Sequence, residues 1–317
     1  MKIVVLEPLG ISEESTAELA ETLRSRGHEV IVYETRTGEA EELIRRAKDA
    51  DALLIANLPL RREVIAECPR LKFISVAFTG VDHVDLDICR ERGIAVSNAA
   101  GYSTHAVAEL VFGLAIAVLR NLVPCDRETR RAGTKDGLIG GELYGKTFGI
   151  VGTGAIGLAA AGIAAAFGCR VLAYSRSQRP EALADGISYV SLDELLQTSD
   201  IVSLHVPLTD ETRTLIDENR LAMMKPTAVL INTARGPVVD NAALARALNE
   251  GRLAGAGIDV FETEPPLDPG HPLASARNTV LTPHVAFATR EALQTRAQIA
   301  FANAEAWLNG ERANRIL

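Results

Sequence analysis

The chain has 317 residues, 47% of them hydrophobic, 23% charged and only 4% aromatic, with a formal net charge of -8. That length is too great for one ordinary core and suits two domains. The acidic balance, with no basic cluster, excludes general nucleic-acid binding and anionic membrane surfaces. The core must be built from Ala, Val, Leu and Ile, a mixture suited to helices packed on parallel strands.

Met1-Lys2 leads directly into the short apolar run Ile3–Leu6, which lacks the long apolar region and cleavage site of a signal peptide. Further runs at Glu29–Tyr33, Ala52–Ala56, Phe73–Ala77 and Ile94–Ser97 alternate with amphipathic stretches such as Glu13–Arg26 and Glu39–Lys48. Strand-helix alternation predicts a parallel, doubly wound α/β sheet. A helix beginning near Ser103 interrupts the series, and its apolar stretch Ala106–Leu119 contains Glu109 and is too short to span a bilayer. Six more strands follow, at Thr147–Val151, Arg170–Tyr174, Ile201–His205, Ala228–Asn232, Ala256–Val260 and Thr279–Leu281, before a last helix over Glu291–Leu308. The expectation is two α/β domains with a ligand cleft between them. Cys68, Cys89, Cys125 and Cys169 form no C-x-x-C pair, so they read as reduced thiols of a cytoplasmic protein. No His/Cys/Asp cluster has metal-ligand spacing, and no metal is expected.

The second series carries a nucleotide fingerprint. Gly152, Gly154 and Gly157 match G-x-G-x-x-G between a strand and a helix. The first glycine allows the tight turn, the second lets backbone approach a pyrophosphate, and the third allows close helix-strand packing. An NAD site usually places an acid about 20 residues beyond the fingerprint. Here Tyr174 runs into Ser175-Arg176-Ser177, and the first acid downstream is Glu181. With no carboxylate to repel a 2′-phosphate and a guanidinium to bind one, the reading favours NADP(H), with NAD(H) the alternative.

Three segments at later strand ends carry catalytic residue types: Asn232-Thr233-Ala234-Arg235-Gly236, Asp259-Val260-Phe261-Glu262-Thr263-Glu264-Pro265 and Thr282-Pro283-His284. Reduction of a 2-oxo acid needs a fixed bidentate cation for the carboxylate and carbonyl, which Arg235 supplies. It needs an acid for the developing alkoxide, which His284 supplies near neutral pH. A carboxylate behind the imidazole would fix its tautomer; Glu264 is the candidate, with Glu262 the exposed alternative.

On Gly145–Gly157, Leu204-His205-Val206-Pro207-Leu208-Thr209 and these three segments, the whole chain resembles the D-isomer-specific 2-hydroxyacid dehydrogenase family, which includes glyoxylate/hydroxypyruvate reductases and phosphoglycerate dehydrogenases. The resemblance implies a flavodoxin-like substrate domain (1–99 plus 287–317) and a Rossmann coenzyme domain (100–286). It implies that Arg235 binds substrate, that Glu264 supports His284 and that His284 is the acid/base. It places Thr153, Ala155, Ile156, His205, Val206, Pro207, Thr233, Ala234 and Asp259 along the cofactor, with Asp259 holding the nicotinamide carboxamide. Thr79, Gly80, Val81 and Tyr102 would meet the substrate, and two subunits would pair through their coenzyme domains. The implied activity is reduction of a small 2-oxo acid such as glyoxylate, hydroxypyruvate or pyruvate. Two alternatives stay open. One is a short-form 3-phosphoglycerate dehydrogenase with Arg61 and Arg62 supplying charge; the other is a nucleotide-sensing protein resembling the C-terminal-binding corepressors.

Overall fold

Apolar runs of four or five residues are too short for stable helices, and here they become parallel strands, of which Ala52–Ile55, Phe73–Val76, Ile201–Leu204, Val229–Asn232 and Gly255–Ile258 are buried along their whole length. The computed structural model describes residues 1–179, 186–263 and 266–317. The chain divides into two units, Met1–Ser103 with Ala288–Leu317 and Thr104–Phe287, against expected breaks after residues 99 and 286.

The first unit holds β1 (Lys2–Val5), β2 (Glu29–Val32), β3 (Ala52–Ile55), β4 (Phe73–Val76) and β5 (Ala95–Asn98), all parallel in the order β2-β1-β3-β4-β5. The last helix, Arg290–Leu308, returns to this sheet. It buries Ala297, Ala300, Phe301 and Ala304 there, stacks Trp307 on Phe73 at 5.1 Å, and accepts the Ser75 hydroxyl at the Ala300 carbonyl, 2.9 Å away.

The second unit holds β6 (Thr147–Val151), β7 (Arg170–Tyr174), β8 (Ser188–Tyr189), β9 (Ile201–Leu204), β10 (Val229–Asn232), β11 (Gly255–Ile258) and β12 (Thr279–Leu281). Their order is β12-β11-β10-β9-β6-β7-β8, all parallel. Strand β8 was not expected, because a two-residue strand offers no periodicity to read. Chain direction across the sheet reverses between β6 and β9, the topological switch point where open α/β sheets bind ligands.

The helix Thr104–Leu119 is apolar on most of its surface because it is a core element, burying Val107, Val111, Leu114 and Val118 and stacking Phe112 on Phe148 at 5.2 Å. Asn121, at φ 52°, breaks it, and the following helix Leu122–Arg130 bends away by 57°. No single helix among the described residues is long and apolar enough to cross a membrane.

Candidate active site

Strand register places the candidate residues of the second unit on one edge. Tyr174, Val151, Leu204, Asn232, Ile258 and Leu281 form a single row across the sheet. The residues that follow them in the chain are therefore neighbours: Ser175, Gly152, His205, Thr233, Asp259 and Thr282. The ladder carries on one step further, with Gly152 donating its N–H to Tyr174 at 2.8 Å, His205 to Val151 at 2.7 Å, Asp259 to Asn232 at 2.9 Å and Thr282 to Ile258 at 2.9 Å.

The glycine loop has the geometry its spacing requires. Gly152 has φ +102°, and a Cβ there would lie 2.5 Å from the His205 carbonyl oxygen. At Gly157 a Cβ would lie 2.0 Å from the Gly152 carbonyl oxygen, so only glycine lets the helix start so close to the strand. Gly154, the N-cap of the helix Ala155–Ala166, faces open space within 4 Å. The first intrahelical bond returns from Leu158 to Gly154, which leaves the N–H groups of Ala155, Ile156 and Gly157 for an anion, with no acid in the first turn to compete. Thr233 is 8% exposed, and its Oγ1 has no hydrogen-bond partner among the described residues. A buried hydroxyl left unpaired costs about 1–3 kcal/mol, and a bound ligand would remove that cost. Vacant helix donors, room at Gly154 and the Thr233 hydroxyl all fit a dinucleotide.

Other contacts support this loop. Tyr189 on β8 donates its hydroxyl to Thr153 Oγ1 at 3.0 Å and accepts the Arg179 backbone N–H at 3.2 Å, tying the glycine loop to the turn after β7. His205 bonds Ser203 Oγ through Nε2 at 2.9 Å, and desolvation pushes its pKa down to about 4, so the ring is neutral at physiological pH. Val206 seats its Cγ1 against the Cβ direction of Gly152, and Pro207 follows exposed.

One expectation about the turn after β7 is corrected. The sequence puts no acid beside Arg176, but the fold brings one from the loop after β9: Arg176 Nη1 lies 2.5 Å from Glu211 Oε2, both side chains about 70% exposed. Ser175 is half-buried and Ser177 exposed. Glu181 lies outside the described residues.

The three catalytic segments meet at β10, β11 and β12, which are adjacent. Asn232 is fully buried and folds its own turn, accepting the Ala234 N–H at 3.0 Å and donating to the Arg235 carbonyl at 3.0 Å. Arg235 is half-buried, and its guanidinium donates to the Ala234 carbonyl at 2.7 Å. A Cβ at Gly236 would lie 1.9 Å from the Phe261 carbonyl, so the Arg235 turn rests on the loop after β11. With one strand between β10 and β12, the Arg235 and His284 segments leave the sheet about 10 Å apart.

Asp259 does something the sequence did not reveal. It is fully buried, and its carboxylate accepts the Thr282 hydroxyl at 2.6 Å, the Val285 N–H at 2.8 Å and the Ala286 N–H at 2.9 Å. Its carbonyl accepts the His284 N–H at 2.8 Å. The Thr282–Ala286 turn is thus wrapped around one carboxylate, and His284 is held at φ 55° within it. A non-glycine residue in the left-handed region is strained, and such strain persists only where its surroundings over-determine it. The His284 ring is half-buried, edge-on to Phe287 at 5.5 Å.

Glu264 and Pro265 lie outside the described residues. Glu262, the other carboxylate of that stretch, bonds His271 Nε2 at 2.9 Å, and that hydrogen bond helps hold its carboxyl below the usual range.

The first unit positions its own candidates. Thr79 is exposed after β4, with its carbonyl accepting Asn98 Nδ2 at 2.8 Å; Gly80 and Val81 are half-buried. Tyr102 is 7% exposed and packs edge-on against Phe78 at 5.9 Å. Above the Phe78 ring, at 4.8 Å, lies the guanidinium of Arg296, which also donates to the Leu9 carbonyl at 2.8 Å. Sequence reading passed over Arg296, although a cation between Ala292 and Ala300 on the buried stripe of a helix is a legible signal. Burial pushes its pKa down, while Tyr102 and Glu7 push it back up. Arg62 is engaged by Glu91 at 2.8 and 3.0 Å, which leaves less charge for a substrate phosphate than the pair Arg61-Arg62 promised.

Known proteins are similar to this chain in sequence and fold. Residues 112–286 match the family model for the NAD binding domain of D-isomer specific 2-hydroxyacid dehydrogenases. A glyoxylate reductase of Thermofilum pendens is 47% identical over 294 residues, covering 89% of this chain and 86% of the relative. An acyclic imino acid reductase solved with NADPH and D-Arg is 32% identical, with a TM-score of 0.89 and full coverage of both chains. A D-lactate dehydrogenase from Aquifex aeolicus, solved with NAD and lactic acid, is also 32% identical, with a TM-score of 0.84 over 98% of this chain and 96% of that one. The chain therefore belongs to the D-isomer specific 2-hydroxyacid dehydrogenase family and is an oxidoreductase that exchanges hydride between a pyridine nucleotide and a 2-oxo/D-2-hydroxy acid pair.

Proposed function

We propose that this chain is an NADPH-preferring reductase of glyoxylate and hydroxypyruvate that also accepts NADH. The observation that carries the catalytic reading is the His284 turn, fixed at positive φ around the buried Asp259 carboxylate next to the Arg235 segment. Arg235 binds the carboxylate and polarises the carbonyl of the 2-oxo acid, a task for a permanently charged, forked donor. His284 gives its proton to the oxygen that becomes the hydroxyl and takes it back in the reverse direction. Glu264 supports the imidazolium from behind, in line with the engagement of Glu262 by His271. The nicotinamide supplies the hydride when bound; the helix N-terminus at Gly154–Gly157 and Thr233 hold the dinucleotide. Arg176, Ser175 and Ser177 supply the donors for a 2′-phosphate. The backbone around Thr79, Gly80 and Val81, with Tyr102, makes the first unit the substrate domain. The curated relative named a glyoxylate reductase supports the small substrate.

Oxidation of NADPH and NADH against glyoxylate, hydroxypyruvate, pyruvate, phenylpyruvate and 3-phosphohydroxypyruvate tests this reading. The expected order puts glyoxylate or hydroxypyruvate first in kcat/KM, with NADPH ahead of NADH. A clear preference for the phosphorylated acid would replace it with the phosphoglycerate reading. Tight nucleotide binding without turnover of any acid would replace it with a sensing role.

The same proposal extends to a cytoplasmic homodimer. Cys68, Cys89 and Cys169 are buried free thiols, as suits a reducing compartment. In the second unit Leu122, Val123, Ile139, Tyr144 and Phe167 are exposed, Ile139 by 90%. Large apolar groups that gather into one exposed patch mark association surfaces. Light scattering on a sizing column is expected to give twice the chain mass, and Ile139→Asp to shift the protein towards the monomer. A monomeric wild type at micromolar concentration would end the dimer proposal.

A further inference from the structure

Arg176 reaches towards the cofactor's ribose only if its guanidinium is available, and the fold has already supplied it with an anion. Glu211 stands 35 residues downstream on the loop after β9, yet its Oε2 lies 2.5 Å from Arg176 Nη1. We infer that Glu211 is a specificity-determining residue that sets the NADPH:NADH ratio by competing with the 2′-phosphate for Arg176. The inference rests on the reading of Arg176 as the 2′-phosphate ligand.

The physical argument is one of charge and exposure. Both side chains are about 70% exposed, and exposed ion pairs are weak because water and salt screen them. The pair can therefore open, so Glu211 does not forbid a phosphate. A 2′-phosphate carries about 1.5–2 negative charges, and to bond Arg176 it must either displace the Glu211 carboxylate or sit within a few ångströms of it. Each route weakens NADPH relative to NADH, whose 2′-hydroxyl brings no charge. In surroundings this wet, like-charge repulsion at such range corresponds to about a three- to tenfold change in affinity. Glu211 thereby keeps a cation-bearing site open to both nucleotides, where an unopposed Arg176 would favour the phosphorylated one more strongly.

Calorimetric titration of the full-length enzyme with NADPH, NADH and 2′,5′-ADP, without substrate, tests the inference. Glu211→Gln is expected to tighten NADPH and 2′,5′-ADP about three- to tenfold and to leave NADH within about twofold. Arg176→Ala is expected to weaken NADPH and 2′,5′-ADP about tenfold or more, again sparing NADH. In the Arg176→Ala background the Glu211→Gln effect should shrink, because the phosphate no longer competes for the guanidinium and is no longer drawn up against the carboxylate. If Arg176→Ala weakens NADPH but Glu211→Gln changes nothing, or changes it equally in both backgrounds, the role assigned to Glu211 is wrong while the NADPH reading stands. If Arg176→Ala leaves the NADPH affinity unchanged, the 2′-phosphate reading falls and the role of Glu211 falls with it. Both residues are exposed, so loss of fold does not cloud the comparison.

Discussion

Replacing His284 by alanine is expected to lower kcat by about 10²- to 10⁴-fold, the usual contribution of a positioned general acid. NADPH affinity, read by quenching of protein fluorescence, should stay within about twofold, because the proposed nucleotide contacts come from the glycine helix, Thr233 and the turn after β7. The loss should appear equally in kcat and kcat/KM, since the proton is transferred only as the alkoxide develops. Stability should change little, because alanine at φ 55° is strained as histidine is and the Asp259 cradle is built from the Thr282 hydroxyl and backbone N–H groups that the substitution leaves in place. A variant that keeps its full rate would remove His284 from the chemistry.

The second large effect is expected at Asp259. Its carboxylate receives three donors in a fully buried setting, and hydrogen bonds to a charged group contribute about 1.5–3 kcal/mol each. Asparagine keeps one acceptor oxygen and turns an NH2 group towards the remaining donor, so Asp259→Asn should cost about 2–4 kcal/mol of stability. Chemical denaturation followed by circular dichroism reads that cost. Release of the turn also frees His284 from its strained conformation, and kcat should fall about tenfold or more, since a misplaced acid loses its reach. Wild-type unfolding and wild-type kcat together would show that the turn does not depend on this carboxylate. An intact unfolding midpoint with a weakened nucleotide affinity would instead point to direct contact with the cofactor.

Much of this site could be read in one dimension, because its signals are local. The fingerprint glycines are specified by backbone clearance within six residues: Gly152 by its own φ, and Gly157 by the carbonyl of Gly152. Arg235 follows a strand that a run of buried aliphatics announces and His284 follows the short, half-buried strand Thr279–Leu281, and parallel pairing does the rest. Once β10, β11 and β12 are known to be parallel neighbours, residues just past their ends must share an edge. The return of the last helix to the first sheet was legible only through the family resemblance; periodicity gave the helix but not its destination.

The alternation of strands and helices, the nucleotide loop and the residue types that can perform the reaction are written in local order along the chain, since each depends on neighbours a few positions apart. How those residues are held and opposed follows from the folded arrangement. Asp259 is 23 residues from Thr282, Glu211 is 35 from Arg176, and Arg296 is 287 from Leu9. No periodicity relates positions so distant in sequence. Whether a charge is cradled, competed for or buried beneath a loop is settled by which strand ends and helices the fold brings side by side. A carboxylate has a substantial effect only on groups within a few ångströms of it.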